Sequence, residues 1–296
     1  QPFVARKADY DRYIDIITPP NKPAPPVEEL HPHIKTWREG CGIMNVTDAE
    51  IKRSRAAYWA LVDRMDYMIG QILTSLEENN LAGNTLILYM SDHGEQVGER
   101  GLWWKQTFYE DAARVPAILS WPGHLPEGRT IDNIISSLDL NATMIDALDC
   151  PALPHSRGRS LLSLARGEDT DWEDIAFSEF CQDRAGGGGP FSQQGIYQRM
   201  IRLGDWKLNY YHGQPSQLFN LKEDPKEADD KINDPACQDI VQDLTARVLD
   251  GWNPEEIKAK MADLRKDQPI LTAWGRSTKP KDVVRWDLRP EMDYLD

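Results

Sequence analysis

The stretch LILYMSDHGEQVGERGLWWKQ (86–106) decides the reading of this chain. It starts as a short apolar, β-prone run and breaks at once into Asp92-His93-Gly94-Glu95. Two glycines and two tryptophans further on it reaches Lys105. A short apolar run bounded by turn residues predicts a central strand buried on both faces. In open α/β sheets the functional crevice lies beyond the carboxyl ends of such strands, which is where Asp92 falls. Asp and neutral His together supply one oxygen and one nitrogen ligand for a divalent cation. Gly94 and Gly98 let the loop turn sharply, and Lys105 brings a positive charge for an anionic group. An Asp-His pair alone also fits a capped turn, so these residues by themselves leave both readings open.

Upstream, NVTDAEIKRSRAAYWALVDRMDYMIGQILTSLEENN (45–80) predicts a helix of about 30 residues. Thr47 and Glu50 form a capping-box pattern at its start. Tyr58, Leu61, Val62, Met65, Met68, Ile69, Ile72, Leu73 and Leu76 follow helical spacing as one apolar stripe. Helix, turn and strand in that order form half of a βαβ unit, so a parallel or mixed sheet is expected. Downstream, RVPAILSWPG (114–123) and EDIAFSEF (173–180) predict strands. NIISSLDLNATMIDALDC (133–150) predicts a strand followed by a helix, capped near Ser137 or Asp139.

The character changes near residue 181. The Gly-rich DRAGGGGPFSQQG (183–195) lacks the Lys-Ser/Thr of a phosphate loop and reads as a flexible loop. YQRMIRLGDWKLNYYHG (197–213) predicts two strands around a Gly-Asp turn, QLFN a third, and two amphipathic helices follow. The fold class is therefore α/β: a large mixed sheet with helices on both faces over residues 1–180. A smaller α+β subdomain with an antiparallel sheet, helices and an extended tail covers 181–296. Residues 1–45, rich in proline, read as an extended surface segment, with His31 and His33 on the surface. His124 and His155 lie beside turns and receive no role.

Composition narrows the function. The net charge is −14 over 296 residues, which argues against non-specific nucleic-acid binding and against docking on anionic lipid. No apolar run approaches a membrane span of ~20 residues. Cys41, Cys150, Cys181 and Cys237 form no CxxC pair, which suits thiols in a cytoplasmic enzyme. The sequons at Asn45 and Asn141 carry no weight without a secretory signal. The chain opens without Met or a first strand and reads as the later part of a longer polypeptide.

YMSDHGEQVGERGLWWKQTFYEDAARVPAILSWPG (89–123) closely resembles the metal-site segment of sulfatases in the alkaline phosphatase superfamily. It is most similar to the bacterial branch of choline sulfatases, arylsulfatases and phosphonate monoester hydrolases. PFVARKADYDRY, AAYWALVDRMDYMIGQIL, SSLDLNATMIDAL, GRSLLSLARGE, WKLNYY and QLFNLKEDPKE resemble further family segments in the expected order. The resemblance implies that Asp92 and His93 are metal ligands, with Ca²⁺ or Mn²⁺ as the metal. It implies that Lys105 contacts the sulfuryl oxygens or the departing ester oxygen. The substrate would be a small-molecule sulfate ester.

One family element is missing. Sulfatases attack with a formylglycine made in a Cys/Ser-x-Pro-x-Arg motif, and no such motif occurs here. The resemblance therefore implies an N-terminal part, upstream of Gln1, that supplies the nucleophile, paired aspartates and a leaving-group histidine. A phosphonate monoester or phosphodiester hydrolase on the same scaffold, or a non-catalytic relative, are the alternatives. The tail (277–296), with Val283, Val284, Trp286 and Tyr294, either docks on another subunit to build a homo-oligomer or folds back on its own domain.

Overall fold

The computed structural model describes residues 3–168, 171–182 and 195–278. The Gly-rich segment 186–189 and the tail beyond 278, with its expected role in a homo-oligomer, lie outside the described residues.

The long helix α3 spans Asp48–Glu78 and starts as its sequence predicts. The Glu50 amide donates to Thr47 Oγ1 at 3.3 Å and the Thr47 amide donates to Glu50 Oε2 at 2.8 Å, closing the capping box. Only the first half of the helix enters the core, through Arg55, Ala56, Ala57 and Ala60. Further along, Val62, Met65, Met68, Ile72 and Leu73 remain exposed. Strand β1 (Ile87–Met90) pairs antiparallel with β2 (Ala117–Ser120). The parallel partner expected from the helix–strand order is not found among the described residues. β1 is half-buried rather than covered on both faces, and Ile118 of β2 is 60% exposed.

The proline-rich beginning is more ordered than its composition suggests. Two helices form there, α1 (Lys7–Asp11) and α2 (Pro32–Gly40). Pro32 occupies the first helical position, where a missing N–H costs nothing, and the His31 side chain caps the turn by accepting from the His33 amide. Ile34 and Trp37 of α2 enter a core cluster with Val97, Leu102, Trp103 and Tyr109. His33, read from sequence as a surface residue, is 2% exposed.

A short helix α4 (Glu110–Ala113) precedes β2, and α5 (Ser137–Ala147) follows it. α5 is capped by Ser136, one residue before the expected cap, with Asp139 completing a capping box. After α6 (Leu162–Arg166) comes a four-stranded antiparallel sheet in the order β3-β4-β5-β6. Its strands are β3 (Ile175–Gln182), β4 (Ile196–Leu203), β5 (Trp206–Tyr211) and β6 (Gln217–Asn220). The sheet expected to start after residue 180 thus takes in 175–182 as well. Gly204 (φ 52°) makes the predicted turn between β4 and β5.

Helix α7 (Gln238–Leu249) covers one face of this sheet, packing Leu244 and Val248 on Ile201, Leu208 and Leu218. The helices α8 (Pro254–Leu264) and α9 (Gln268–Thr278) end the described chain. Helices beside sheets in this arrangement make the chain mixed α/β with an α+β C-terminal part. No helix among the described residues is long and apolar enough to cross a membrane.

Candidate active site

The loop after β1 folds back on itself and brings its two ends together. The Gln96 amide donates to Trp104 O at 3.1 Å, and the Gly98 amide to Leu102 O at 2.8 Å. The Glu95 carboxylate ties the same ends, accepting from the Trp104 amide at 2.6 Å and from the Val97 amide at 3.3 Å. Val97, Arg100 and Trp104 adopt left-handed backbone, with φ of 46°, 54° and 66°. Side chains seldom tolerate that region, and strain of this kind collects at functional loops. Here Leu102 and Trp103, 0% and 7% exposed, anchor the loop in the core.

This closure sets Lys105 over His93. Lys105 Nζ lies 2.7 Å from His93 Nε2. Asp92 Oδ2 lies 3.4 Å from the same nitrogen. The other ring nitrogen, Nδ1, is 2.8 Å from Gly94 O and can only donate to it. In the neutral ring that bond places the proton on Nδ1 and a lone pair on Nε2, the state in which imidazole binds a cation. The Asp92 side chain is 83% exposed and its Oδ1 accepts from the His93 amide at 3.0 Å. Asp92, His93 and Lys105, picked out from the sequence, therefore converge on one solvent-accessible point at a strand end.

The donor set suits half of a cation site. An aspartate oxygen and an imidazole lone pair face the same space, but no group of three or more His, Cys, Asp or Glu able to hold a metal occurs among the described residues. A complete shell needs further ligands from outside them.

Gly94, already marked as a turn residue, and several residues without a site role in the sequence support this loop. Gly94 is in contact with α4: a Cβ there would stand 2.1 Å from Asp111 O. The His33 ring, at Nε2, lies 3.0 Å from Gln106 O, next to Lys105. Burial lowers the His33 pKa from 6.5 to about 4, so this ring stays neutral and donates to that carbonyl. His31 and His33 both face the Tyr211 ring, with centroids 4.4 and 5.2 Å away. Burial likewise lowers the His31 pKa. Lys207 and Glu227, both with side chains 0% exposed, pair at 2.8 Å behind α4. A lysine at an alternating position in a predicted strand was the one sequence signal for this pair. His124 stacks on Trp121 at 4.0 Å, apart from the loop.

Comparison with known proteins agrees with this anatomy. The Sulfatase family matches residues 10–150, and the C-terminal family of N-sulphoglucosamine sulphohydrolase matches residues 98–253. A choline-sulfatase of Rhizobium meliloti is 32% identical over 243 residues, covering 79% of this chain and 44% of that protein. An arylsulfatase K of Canis lupus familiaris is 30% identical over 288 residues, covering 91% of this chain and 50% of that protein. The solved phosphonate monoester hydrolase of Silicibacter pomeroyi superposes with a TM-score of 0.72 at 25% identity, over 80% of this chain and 50% of that one. The chain spans about half the length of the relatives it matches. With matched segments running through both the site loop and the C-terminal sheet, the chain belongs to the sulfatase family of the alkaline phosphatase superfamily.

Proposed function

We propose that this chain is the cation-bearing half of an enzyme that hydrolyses small-molecule sulfate esters. The observation that carries the reading is the convergence of Asp92, His93 and Lys105 within 3.4 Å of one ring nitrogen. Asp92 and His93 would hold a divalent cation, Ca²⁺ or Mn²⁺, which when bound draws charge from the sulfuryl oxygens. Lys105 would donate hydrogen bonds to a sulfuryl oxygen or to the ester oxygen as it leaves. A fixed ammonium aimed where negative charge grows stabilises the transition state more than the ground state. Gly94 O keeps the Nδ1 proton in place, so His93 presents its lone pair without rearranging. Lys105 Nζ, 2.7 Å from Nε2, stands beside that lone pair, where it can reach an anionic group held at the same point.

The attacking oxygen would come from a formylglycine in an N-terminal part. Two features support such a part. No Cys-x-Pro-x-Arg or Ser-x-Pro-x-Arg motif occurs in the chain. The apolar stripe of α3, with Ile118 of β2, is an exposed face beside a two-stranded ribbon, and a ribbon of that size is marginally stable by itself. The neighbouring phosphonate monoester hydrolase structure favours a second reading, in which the same groups act on a phosphonate monoester. Assay of the full-length protein on an aryl sulfate and an aryl phosphonate monoester separates the two. A higher kcat/KM on the sulfate is expected; a higher value on the phosphonate would overturn the sulfatase assignment.

A further inference from the structure

Helix α4 is gripped from two sides. On the site side, the Gly94 amide donates to Ala112 O at 2.8 Å. Gly94 also lies so close to Asp111 O that no side chain fits there. Gly94 O is in turn the acceptor that fixes the His93 ring, at 2.8 Å. The height of α4 therefore sets the carbonyl that orients the imidazole.

On the far side, the C-terminal part holds the same turn of helix by directional bonds. Lys207 Nζ on β5 donates to Glu110 Oε1 and Glu227 Oε1, both at 2.8 Å. Glu227 Oε2 accepts from the Glu110 amide at 2.8 Å, at the start of α4. Arg100 stands beside this pair. It donates to Asp111 Oδ2 at 2.7 Å and to the Lys226 carbonyl, and it lies over the Tyr109 ring at 4.1 Å. Lys22 Nζ closes the group with bonds of 3.0 and 2.8 Å to the two Asp111 carboxylate oxygens.

Glu227 holds a left-handed backbone (φ 52°) with a side chain 0% exposed. Strain at a buried charged residue persists only where its partners over-determine it. Stability alone does not require such an arrangement, because a buried ion pair is often matched or bettered by apolar packing of the same volume.

We propose that Lys207 and Glu227 are positioning residues for His93. Through α4 they hold the Gly94 carbonyl where it fixes the tautomer and direction of the imidazole. The inference rests on the reading of Asp92 and His93 as cation ligands. Groups that orient a ligand from behind typically contribute 10- to 100-fold to cation affinity.

The test is calorimetric titration of the full-length protein with calcium alone, or with manganese alone where calcium does not bind, at a temperature where circular dichroism shows each variant folded. Asp92→Ala, Lys207→Met, Glu227→Gln and Leu244→Ala are compared with the unchanged protein. Leu244 lies under the opposite face of the sheet and touches none of these groups. Lys207→Met and Glu227→Gln are expected to weaken calcium binding about tenfold. Leu244→Ala, though destabilised, is expected to bind within twofold of the unchanged protein.

Unchanged affinity in Lys207→Met and Glu227→Gln, beside a loss in Asp92→Ala, would overturn the positioning role and leave the cation site standing. Equal weakening in Leu244→Ala would overturn it too, by showing a global effect. Unchanged affinity in Asp92→Ala, or binding of neither calcium nor manganese by the unchanged protein, would overturn the site reading itself. Ring ¹⁵N shifts of His93 in the cation-free protein give an independent readout. The Nδ1–H tautomer is expected in the unchanged protein and a mixture in Lys207→Met; one tautomer in both would overturn the proposal.

Discussion

On one face of the β3–β6 sheet, Ile201, Leu208 and Leu218 lie under α7; on the other, Lys207, Gln217 and Tyr211 meet the elements that carry the candidate site. Successive residues of β5 serve opposite faces, as the pleat requires: Lys207 turns to the site, Leu208 to α7, and both are 0% exposed. The apolar face makes non-directional contacts that tolerate small shifts. The face toward the site makes hydrogen bonds and ion pairs, which hold groups at fixed distances and angles. The first face supplies mainly stability. The second fixes position, at the cost of burying charge.

Breaking the polar face should have the larger effect. Lys207→Met takes the nearer cation from buried Glu227 and leaves it only Arg100 at 3.4 Å, and loss of one partner of a buried pair costs about 3 kcal/mol or more. Denaturant unfolding should show that loss, and Glu227→Gln on the same background should recover part of it. On the apolar face, Leu218→Ala should cost about 3 kcal/mol through a cavity against α7, with the site geometry unaffected. The calcium affinity of the folded variant checks that separation.

The polar face should also respond to pH where the apolar face does not. His33 has a pKa of about 4 when folded and 6.5 in an open chain, so the unfolded state binds the proton first. Its contribution is complete above pH 6.5 and declines as pH falls toward 4. Between pH 6.5 and 4.5 the loss should be about 2 kcal/mol, and His33→Gln should flatten that part of the stability profile. The smallest effect belongs to a region remote from both faces. Thr47→Ala removes the α3 cap and should cost about 1 kcal/mol by thermal unfolding, with no change at the site.

What the sequence revealed follows the range of each interaction. The α3 capping box joins residues three apart, and Asp92, His93 and Lys105 sit on one loop whose glycines and apolar anchors show in the sequence. The hairpin β4–β5 was equally local, marked by its Gly-Asp turn. Lys207 and Glu110 are 97 residues apart, and Glu110 and Glu227 are 117 apart, so no local pattern could join them. His33 was misread because proline-rich composition suggested an extended surface, whereas Pro32 begins a helix. The exposed stripe of α3 was visible as a periodicity, but periodicity alone does not say what covers it. Nor could the residues of one chain show that β1 would take an antiparallel partner from 117–120.

As proposed, Asp92, His93 and Lys105 form the cation and anion site of sulfate-ester hydrolysis. Turnover of an aryl sulfate by the full-length protein, compared with Asp92→Ala and Lys105→Ala, tests it most directly. kcat should fall by roughly 100- to 1,000-fold in each variant while the fold is retained. Near-unchanged turnover in both would contradict it.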